Sequence, residues 1–249
     1  MMSGRAVLVT GASRGIGRAI ALAFAERGDR VAIHHRDSSD LAVRLRDELP
    51  GEGHAVVRAD VSDPEQARRM TDEAAGALGG IDVLVNNAGV FLRHPIAEVS
   101  YEEWREVWRR TLDVNLVGPA NVTWSAVRHM RPGGRIVNVS SRGAFRGEPE
   151  SPAYAASKAG LNAMGQSLAV ALAPLGITVG TVAPGFVETD MTNEHLKPPR
   201  GDEIRAQSPF GRVARPEEIA AAVLYLASPE AEWASGAVID LNGASYLRT

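Results

Sequence analysis

The stretch T-G-A-S-R-G-I-G, residues 10–17, decides the fold of this chain. It ends the apolar run Arg5–Thr10 and leads into an apolar helical pattern at Gly15–Arg27, which predicts a strand, a tight turn and a helix in that order. Glycine allows close approach of the backbone, and a helix N-terminus offers free N–H groups and a positive dipole end to a pyrophosphate. The stretch therefore predicts a dinucleotide site, and the alternative is a tight turn without a ligand.

Alternating strand and helix patterns extend from this stretch along nearly the whole chain. The predicted strands are Arg5–Thr10, Arg30–His35, His54–Asp60, Asp82–Asn86, Arg135–Ser140, Thr178–Ala183 and Ala237–Leu241. The predicted helices are Gly15–Arg27, Ser38–Leu49, Pro64–Leu78, Tyr101–Met130, Pro152–Ala173 and Pro216–Ala227. Nearly continuous Val, Ile and Leu content in the strands is typical of a parallel sheet that is covered on both faces.

These patterns predict an α/β fold of the doubly wound Rossmann type, with a seven-stranded parallel sheet and helices on both faces. No Gly/Ser/Pro-rich linker, charge block or internal repeat divides the chain. We therefore expect residues 1–249 to form a single NAD(P)-binding Rossmann-type catalytic domain.

The composition limits the classes of partner. The 249 residues are 45% hydrophobic, carry a formal net charge of −3 and include no cysteine. The chain thus lacks a basic face for nucleic acid, and neither disulfides nor thiolate metal sites can form. Its apolar runs are strand-sized, well below the ~18 residues of a membrane helix, and residues 1–4 lead directly into a strand rather than a signal peptide. We expect a cytoplasmic protein without nucleic-acid or membrane partners.

The six histidines predict no metal site. His34 and His35 are adjacent on a strand, so they face opposite ways, which indicates packing. The other four histidines are not spaced along the sequence as metal ligands are; they are His54, His94, His129 and His195.

Ligands of parallel sheets bind outside the carboxyl ends of the strands. The second strand ends in H-H-R-D-S, where Arg36 stands in place of the acid that usually holds the ribose hydroxyls of NAD. Arg14 in the glycine loop adds a second guanidinium, and arginine suits bidentate recognition of phosphate. The pair predicts binding of the 2′-phosphate of NADP. Two alternatives stay open: Asp37 binds the ribose hydroxyls, or Arg36 is an exposed, solvated charge.

Polar or small residues also follow the third and fourth strands. Asp60-Val61 ends the third strand, and the carboxylate could accept from an adenine amino group. N-N-A-G, residues 86–89, ends the fourth strand, where Asn87, Ala88 and Gly89 would let the chain pass close to a ribose. The alternative for Gly89 is a glycine that serves only a turn.

The small-residue helix start S-P-A-Y-A-A-S-K-A-G, residues 151–160, carries a tyrosine and a lysine four positions apart. Ser151 is expected to cap the helix with its hydroxyl, and Pro152 suits the first helical position because it has no N–H. Tyr154 and Lys158 then share one face. An ammonium beside a phenol favours phenolate, so the pKa of Tyr154 is expected to fall from about 10 toward neutrality. The pair predicts a proton donor and acceptor, and the alternative is an ordinary solvent-facing pair.

In this order, T-G-A-S-R-G-I-G, N-N-A-G, Y-A-A-S-K and P-G-F-V-E-T resemble the short-chain dehydrogenase/reductase family over nearly the whole chain. G-R-I-V-N-V-S-S, A-P-G-F-V-E-T-D-M-T and the closing R-P-E-E-I-A are most similar to its 3-oxoacyl-acyl-carrier-protein-reductase-like branch. The resemblance implies that Tyr154 is the acid/base, that Lys158 lowers its pKa and holds the nicotinamide ribose, and that Ser141 orients the carbonyl. It also implies that Asn115 supports a proton relay through water.

Alternatives remain for two of these residues. The family's spacing between serine and tyrosine selects Ser141, with Ser140 as the alternative. Asn115 sits within a long predicted helix, where a polar side chain can also serve to satisfy a local backbone group.

The residues expected to bind the cofactor lie in the glycine loop, after the second, third, fourth and sixth strands, and at the catalytic tyrosine and lysine. The resemblance places Val187 and Thr189 near the nicotinamide carboxamide. The full set is Gly11, Ser13, Arg14, Gly15, Ile16, Gly17, Arg36, Asp60, Val61, Asn87, Ala88, Gly89, Tyr154, Lys158, Pro184, Gly185, Val187 and Thr189.

Two further segments have weaker patterns. Asn193–Arg212 is polar and Pro-rich, so we expect a loop or small helices that close over substrate, and the alternative is an ordinary surface insertion. Trp104 and Trp108 lie four residues apart on the long predicted helix. Together with Trp124 they are expected to pack in a core or at a subunit face.

The sequence as a whole predicts an enzyme that interconverts a ketone and a secondary alcohol with NADP(H) by direct hydride transfer, on a small-molecule substrate and without a metal. The resemblance implies a homotetramer. One alternative is a 3-oxoacyl-acyl-carrier-protein reductase, although Pro132 and Leu175 stand where such enzymes tend to carry basic residues, with only Arg131 close. An alternative of another class is a non-catalytic nucleotide-sensing protein, which would not need the serine, tyrosine and lysine together.

Overall fold

Seven parallel strands form one sheet in the computed structural model of the protein, which describes residues 4–193 and 196–248. The strands are β1 (Ala6–Val9), β2 (Arg30–His35), β3 (Ala55–Arg58), β4 (Val83–Asn86), β5 (Arg135–Val139), β6 (Thr178–Pro184) and β7 (Val238–Leu241). Their order is β3-β2-β1-β4-β5-β6-β7, with parallel pairing throughout. The order reverses between β1 and β4, so a crevice opens there at the carboxyl ends of the strands.

Helices cover both faces of this sheet. In chain order they are α1 (Gly15–Ala25), α2 (Ser39–Glu48), α3 (Pro64–Leu78), α4 (Tyr101–Leu112), α5 (Gly118–Val127), α6 (Gly143–Arg146), α7 (Pro152–Leu172), α8 (Arg200–Ala206) and α9 (Pro216–Leu226). One face packs on α1 and α9 through Phe24 and Ile219, and the other packs on α3, α5 and α7 through Met70, Val122 and Leu172. The predicted doubly wound α/β fold is confirmed.

The single helix predicted for Tyr101–Met130 is wrong. The chain forms α4, then a π-helical turn at Asp113–Val117, then α5. A π turn accommodates one extra residue and is frequent at functional sites. It places the Asn115 amide against the loop after β4, where it binds the N–H and C=O of Val90 at 2.8 and 2.9 Å. One inserted residue hardly changes the hydrophobic period, so the sequence pattern does not reveal it.

Short helices lie in two segments that have no strong helical pattern. α6 lies between β5 and α7, where no helix is predicted from the sequence. α8 lies within Asn193–Arg212, so the expectation of small helices there is confirmed for Arg200–Ala206. A parallel bridge between Val187 and Ala214 joins the flanks of that segment. His195 and its neighbour at position 194 lie outside the described residues.

The tryptophans lie toward the surface. Trp104 and Trp108 are half-buried, with ring centres 5.6 Å apart. Trp124 is 55% exposed, and the Arg128 guanidinium lies 3.2 Å from its ring centre. Packing in the core is therefore wrong for Trp124, and a role at a subunit face stays a prediction.

Within residues 4–193 and 196–248, every helix is too short or too polar to cross a bilayer.

Candidate active site

One cleft, with a cavity volume of about 350 Å³, runs along the carboxyl ends of β1 to β6 and crosses the switch point. Each of the residues predicted to bind the cofactor lines it, from Gly11 after β1 to Thr189 after β6, and so does Ser141. Asn115 is fully buried behind Val90, which lines the wall. The structure thus brings the predicted cofactor residues and the serine, tyrosine and lysine to one place.

The glycine loop has the geometry that a phosphate group needs. Gly11 and Gly15 have φ angles of 64° and 54°, which other residues rarely adopt. A Cβ on Gly17 would lie 2.2 Å from the Gly11 carbonyl oxygen, so α1 can start close to the turn only with glycine there. Within the described residues, no side chain caps the N-terminus of α1. Its first N–H groups therefore face the cleft and fit a pyrophosphate.

His34 supports this loop, a role that the sequence did not reveal. Its buried ring accepts the Gly11 N–H at Nδ1, at 2.9 Å, and donates from Nε2 to the Ala59 carbonyl oxygen at 3.1 Å. Burial lowers the pKa of His34 to about 4, so the ring is neutral at pH 7. The packing role predicted for His34 is confirmed. The sequence feature that could have indicated its additional role in supporting the loop is a polar residue near the end of a buried strand.

Arg14 and Arg36, the two arginines that are predicted to bind the 2′-phosphate, line the end of the cleft where the adenosine is expected. Arg36 Nε lies 2.5 Å from Asp37 Oδ2, and the two side chains are 44% and 62% exposed. The Asp37 carboxylate thus contacts the guanidinium, while Arg36 and Arg14 both line the cleft.

Asp60 accepts from the N–H and the hydroxyl of Ser62, at 3.0 and 2.6 Å. Partial burial acts to raise the pKa of Asp60, but the two hydrogen bonds from Ser62 and the nearby Arg36 and Arg110 lower it overall. The carboxylate is therefore ionised at pH 7 and can accept from an amino group.

Thr10 joins the glycine loop to the loop after β4. Its hydroxyl oxygen accepts the N–H groups of Asn87 and Ala88 at 2.9 and 3.0 Å. The Asn87 amide donates to the carbonyl oxygens of Thr10 and Gly11 at 2.9 and 3.1 Å. The Asn87 side chain therefore holds the two loops together, and the close approach of residues 87–89 to a ribose stays a prediction.

Ser141, Tyr154 and Lys158 meet at the other end of the cleft. The Ser141 side chain, which follows β5, hydrogen-bonds the Tyr154 hydroxyl on α7. The Ser140 hydroxyl is buried and donates to the Lys158 carbonyl oxygen at 3.2 Å. Since the Ser140 hydroxyl is engaged with the backbone of α7, the geometry favours Ser141 over the alternative.

The predicted fall in the tyrosine pKa is wrong. Burial raises the pKa of Tyr154 to about 12, although the hydrogen bond from Ser141 acts to lower it. The Lys158 ammonium donates to the Val139 carbonyl oxygen at 2.8 Å, and burial lowers its pKa to about 8. Desolvation therefore sets the direction of both pKa shifts.

The predicted cap of α7 is also wrong. Ser151 Oγ is buried and has no hydrogen-bond partner within the described part of the chain. The Ala153 N–H donates instead to Nε2 of His94, at 3.2 Å. A ring from another loop takes the place of the local serine, and single-sequence capping rules do not include such a partner.

Comparisons with known proteins agree with this architecture. A family model described as enoyl-(acyl carrier protein) reductase matches residues 11–243. The 3-oxoacyl-[acyl-carrier-protein] reductase FabG of Vibrio cholerae is 39% identical over 248 residues, which are 99% of this chain and 99% of that protein.

Two solved structures resemble the whole fold. A dehydrogenase/reductase from Sinorhizobium meliloti has a TM-score of 0.91 at 33% identity, over 99% of this chain and 96% of that one. A short chain dehydrogenase from Burkholderia cenocepacia in complex with NADP has a TM-score of 0.89 at 34% identity, over 98% of both chains.

A parallel sheet with a nucleotide cleft at its switch point is the architecture of dinucleotide-dependent oxidoreductases. Within that class, the matches to known proteins over almost the full length of the chain identify the family. The chain belongs to the short-chain dehydrogenase/reductase family, so the resemblance found in its motifs is confirmed and the protein is an oxidoreductase.

Proposed function

We propose that the protein interconverts a ketone and a secondary alcohol with NADP(H) by direct hydride transfer. The observation that carries this proposal is the hydrogen bond between Ser141 and Tyr154 at one end of a nucleotide cleft that also contains Lys158. Two hydroxyls suit a carbonyl oxygen, because one donates a hydrogen bond as charge develops and the other transfers a proton.

NADP(H) is supported by charge and by a relative. Arg14 and Arg36 line the cleft at the end that would hold the adenosine. The contact between Arg36 Nε and Asp37 uses one of five guanidinium N–H donors, so others are free to face a 2′-phosphate. The relative from Burkholderia cenocepacia is in complex with NADP.

Each catalytic side chain has a distinct role in the reduction. When bound, NADPH supplies the hydride to the carbonyl carbon. Tyr154 donates its proton to the carbonyl oxygen, and Ser141 orients that oxygen. Lys158 binds the hydroxyls of the nicotinamide ribose and stabilises the phenolate that remains.

Asn115 is proposed to support the return of the proton to Tyr154 through water. Gly89 leaves room for this path, because a Cβ there would lie 3.2 Å from Asn115 Oδ1 and 3.6 Å from Lys158 Nζ. The Asn115 amide also binds Val90 and Ser157, so it has a structural role besides.

A second candidate is the reduction of 3-oxoacyl groups on an acyl carrier protein, the reaction named for the relative from Vibrio cholerae. An acidic carrier requires a basic surface. Leu175 is 52% exposed and Pro132 is exposed, where the resemblance would place basic residues, and Arg131 is the one basic residue next to Pro132 in the sequence. We therefore favour a free small molecule as substrate.

We also propose one catalytic domain over residues 1–249, a homotetramer and a cytoplasmic location.

The test is NADPH consumption with a panel of sugars, steroids, small diketones, quinones and acyl thioesters. We expect at least one ketone to be reduced in the presence of a chelator, since the proposed reaction needs no metal. NADPH binding without reduction of any member would contradict the proposal and favour a nucleotide-sensing protein. Reduction of acyl-carrier thioesters alone would favour the second candidate.

A further inference from the structure

The first turn of α7 has an unusual cap. Ser151 provides only its main-chain oxygen, which accepts the N–H groups of Tyr154 and Ala155 at 3.0 and 3.3 Å. Pro152 has no N–H. The remaining N–H of the turn, that of Ala153, donates to Nε2 of His94 in the loop after β4. A buried first-turn N–H needs such an acceptor, so His94 replaces the usual capping side chain.

His94 is held in one tautomer and one orientation. Because Nε2 accepts from Ala153, the ring proton is on Nδ1, which donates to the Leu92 carbonyl oxygen at 2.8 Å. The ring is fully buried, with its centre 5.4 Å from that of Trp104. The His94 N–H donates to the Glu150 carbonyl oxygen at 2.7 Å. The ring therefore cannot turn from Ala153 without the loss of other contacts.

The same loop contacts the catalytic tyrosine directly. The Phe91 ring packs edge-on against the Tyr154 ring, with centres 4.9 Å apart. On the other side of the loop, the Asn115 amide binds both backbone groups of Val90. Residues 90–94 thus connect the π-helical turn with the start of α7. Since Tyr154 follows Ala153, a shift of the first turn would move the phenol.

We propose that His94 is a positioning residue: by accepting the Ala153 N–H, it fixes the first turn of α7 and keeps the Tyr154 hydroxyl beside Ser141. This role rests on the proposed function of Tyr154 as acid/base. A displacement of about 1 Å in a reacting group can cost about 10²-fold in rate. Loss of the acceptor is therefore expected to lower kcat by about tenfold or more, while NADPH affinity changes little, because most of the predicted cofactor contacts lie away from the first turn of α7.

Two amide variants of different length test the role. Glutamine at position 94 brings its carbonyl oxygen near the place of Nε2, whereas asparagine reaches only the place of Nδ1. We expect His94→Gln to retain kcat within about threefold, and His94→Asn to lose about tenfold or more at unchanged KM and NADPH Kd.

His54→Phe is the matched control. His54 Nδ1 also accepts a backbone N–H, that of Val31 at 3.1 Å, but at the start of β2 and remote from α7. Its removal should lower thermal stability and leave kcat unchanged. A similar fall in kcat for His54→Phe would show that the His94 effect is one of stability alone, and would overturn the proposal.

Amide hydrogen exchange over residues 152–155 adds a measurement that needs no substrate. Exchange should be faster in His94→Asn than in wild type and close to wild type in His94→Gln. Turnover is measured with the fastest-reduced ketone of the panel, and Tyr154→Phe is assayed in parallel. If Tyr154→Phe stays active, the proposed function fails, whatever exchange shows.

If Tyr154→Phe is inactive while His94→Asn and His94→Gln have equal kcat, the positioning role is wrong. Equal amide exchange in wild type and both variants would show that His94 does not cap the first turn of α7. Should His94→Asn fail to fold, His94→Gln still decides, because a kcat below about a tenth of wild type in that variant contradicts the proposal.

Discussion

The Nζ atom of Lys158 lies 2.8 Å from the Val139 carbonyl oxygen, so the end of β5 binds the ammonium that α7 contributes. The same Nζ is 5.8 Å from the centre of the Tyr154 ring. Burial lowers the pKa of Lys158 to about 8 and raises that of Tyr154 to about 12. At pH 7 the lysine is therefore mostly charged and the tyrosine carries its proton, which is the state that the proposed ketone reduction requires.

This pair predicts the alkaline side of the pH profile. Below pH 8 Lys158 is charged and would support the phenolate that the proposed proton transfer leaves, and above its pKa of about 8 that charge is lost. We expect kcat/KM for ketone reduction to fall as the pH rises through 8, with initial rates measured from pH 6 to 10. A flat profile to pH 10 would show that the lysine charge has no part in the reaction.

Lys158→Ala should weaken cofactor binding as well as turnover. The ammonium is proposed to contact the nicotinamide ribose and to stabilise the phenolate, so both functions are lost together. NADPH Kd from fluorescence titration and kcat from NADPH consumption check this. Reduced kcat with an unchanged Kd would refute the ribose contact but not the role in proton transfer.

Arg36→Ala should weaken NADPH binding much more than NADH binding, because only NADPH carries the 2′-phosphate. A charge-assisted hydrogen bond contributes about 1.5–3 kcal/mol, so the loss should be about tenfold or more, and added salt should reduce it. Arg14→Ala should act in the same direction.

Arg18→Ala is the control for Arg36, since it removes an exposed arginine of α1 that pairs with Glu48 at 2.6 Å. The Kd values of NADPH and NADH, measured for wild type and each variant, test the proposed role of Arg36. Equal affinities in wild type, or a preference for NADH, would end the NADP assignment and favour ribose binding by Asp37.

His34 should make the protein sensitive to acid. In the unfolded chain this ring takes up a proton near pH 6.5, but in the folded protein only near 4. Between these values the unfolded state binds more protons, so the free energy of unfolding falls as the pH falls, by up to about 3 kcal/mol. In His34→Asn, whose carbonyl oxygen can still accept the Gly11 N–H, urea titrations from pH 7 to 4 should show a smaller fall. An unchanged slope would mean that other groups cause the acid sensitivity.

Much of the fold could be predicted because the residue pattern of each segment agrees with what a parallel sheet requires. The strands β1, β2, β4, β5 and β6 are almost wholly buried on both faces, whereas the edge strands β3 and β7 are only partly buried. The polar or small residues after the strands line the cleft, as parallel topology requires. The pattern did not predict the π turn at Asp113–Val117, because hydrophobic period is insensitive to a single inserted residue. His34 and His94 were missed because each binds a backbone N–H of another segment. The direction of the Tyr154 pKa depends on burial, which two residues on a helix cannot reveal.

Tyr154→Phe tests the central claim most directly. It removes the hydroxyl that is proposed to give its proton to the ketone and keeps the ring that packs on Phe91. General acid catalysis is worth about 10²–10⁴-fold, so kcat should fall by that range while NADPH Kd stays close to that of wild type. Tyr101→Phe, at the exposed start of α4, is the control and should keep full activity. A Tyr154→Phe enzyme that binds NADPH and retains more than about a tenth of wild-type kcat would contradict the assignment of Tyr154 as the acid/base.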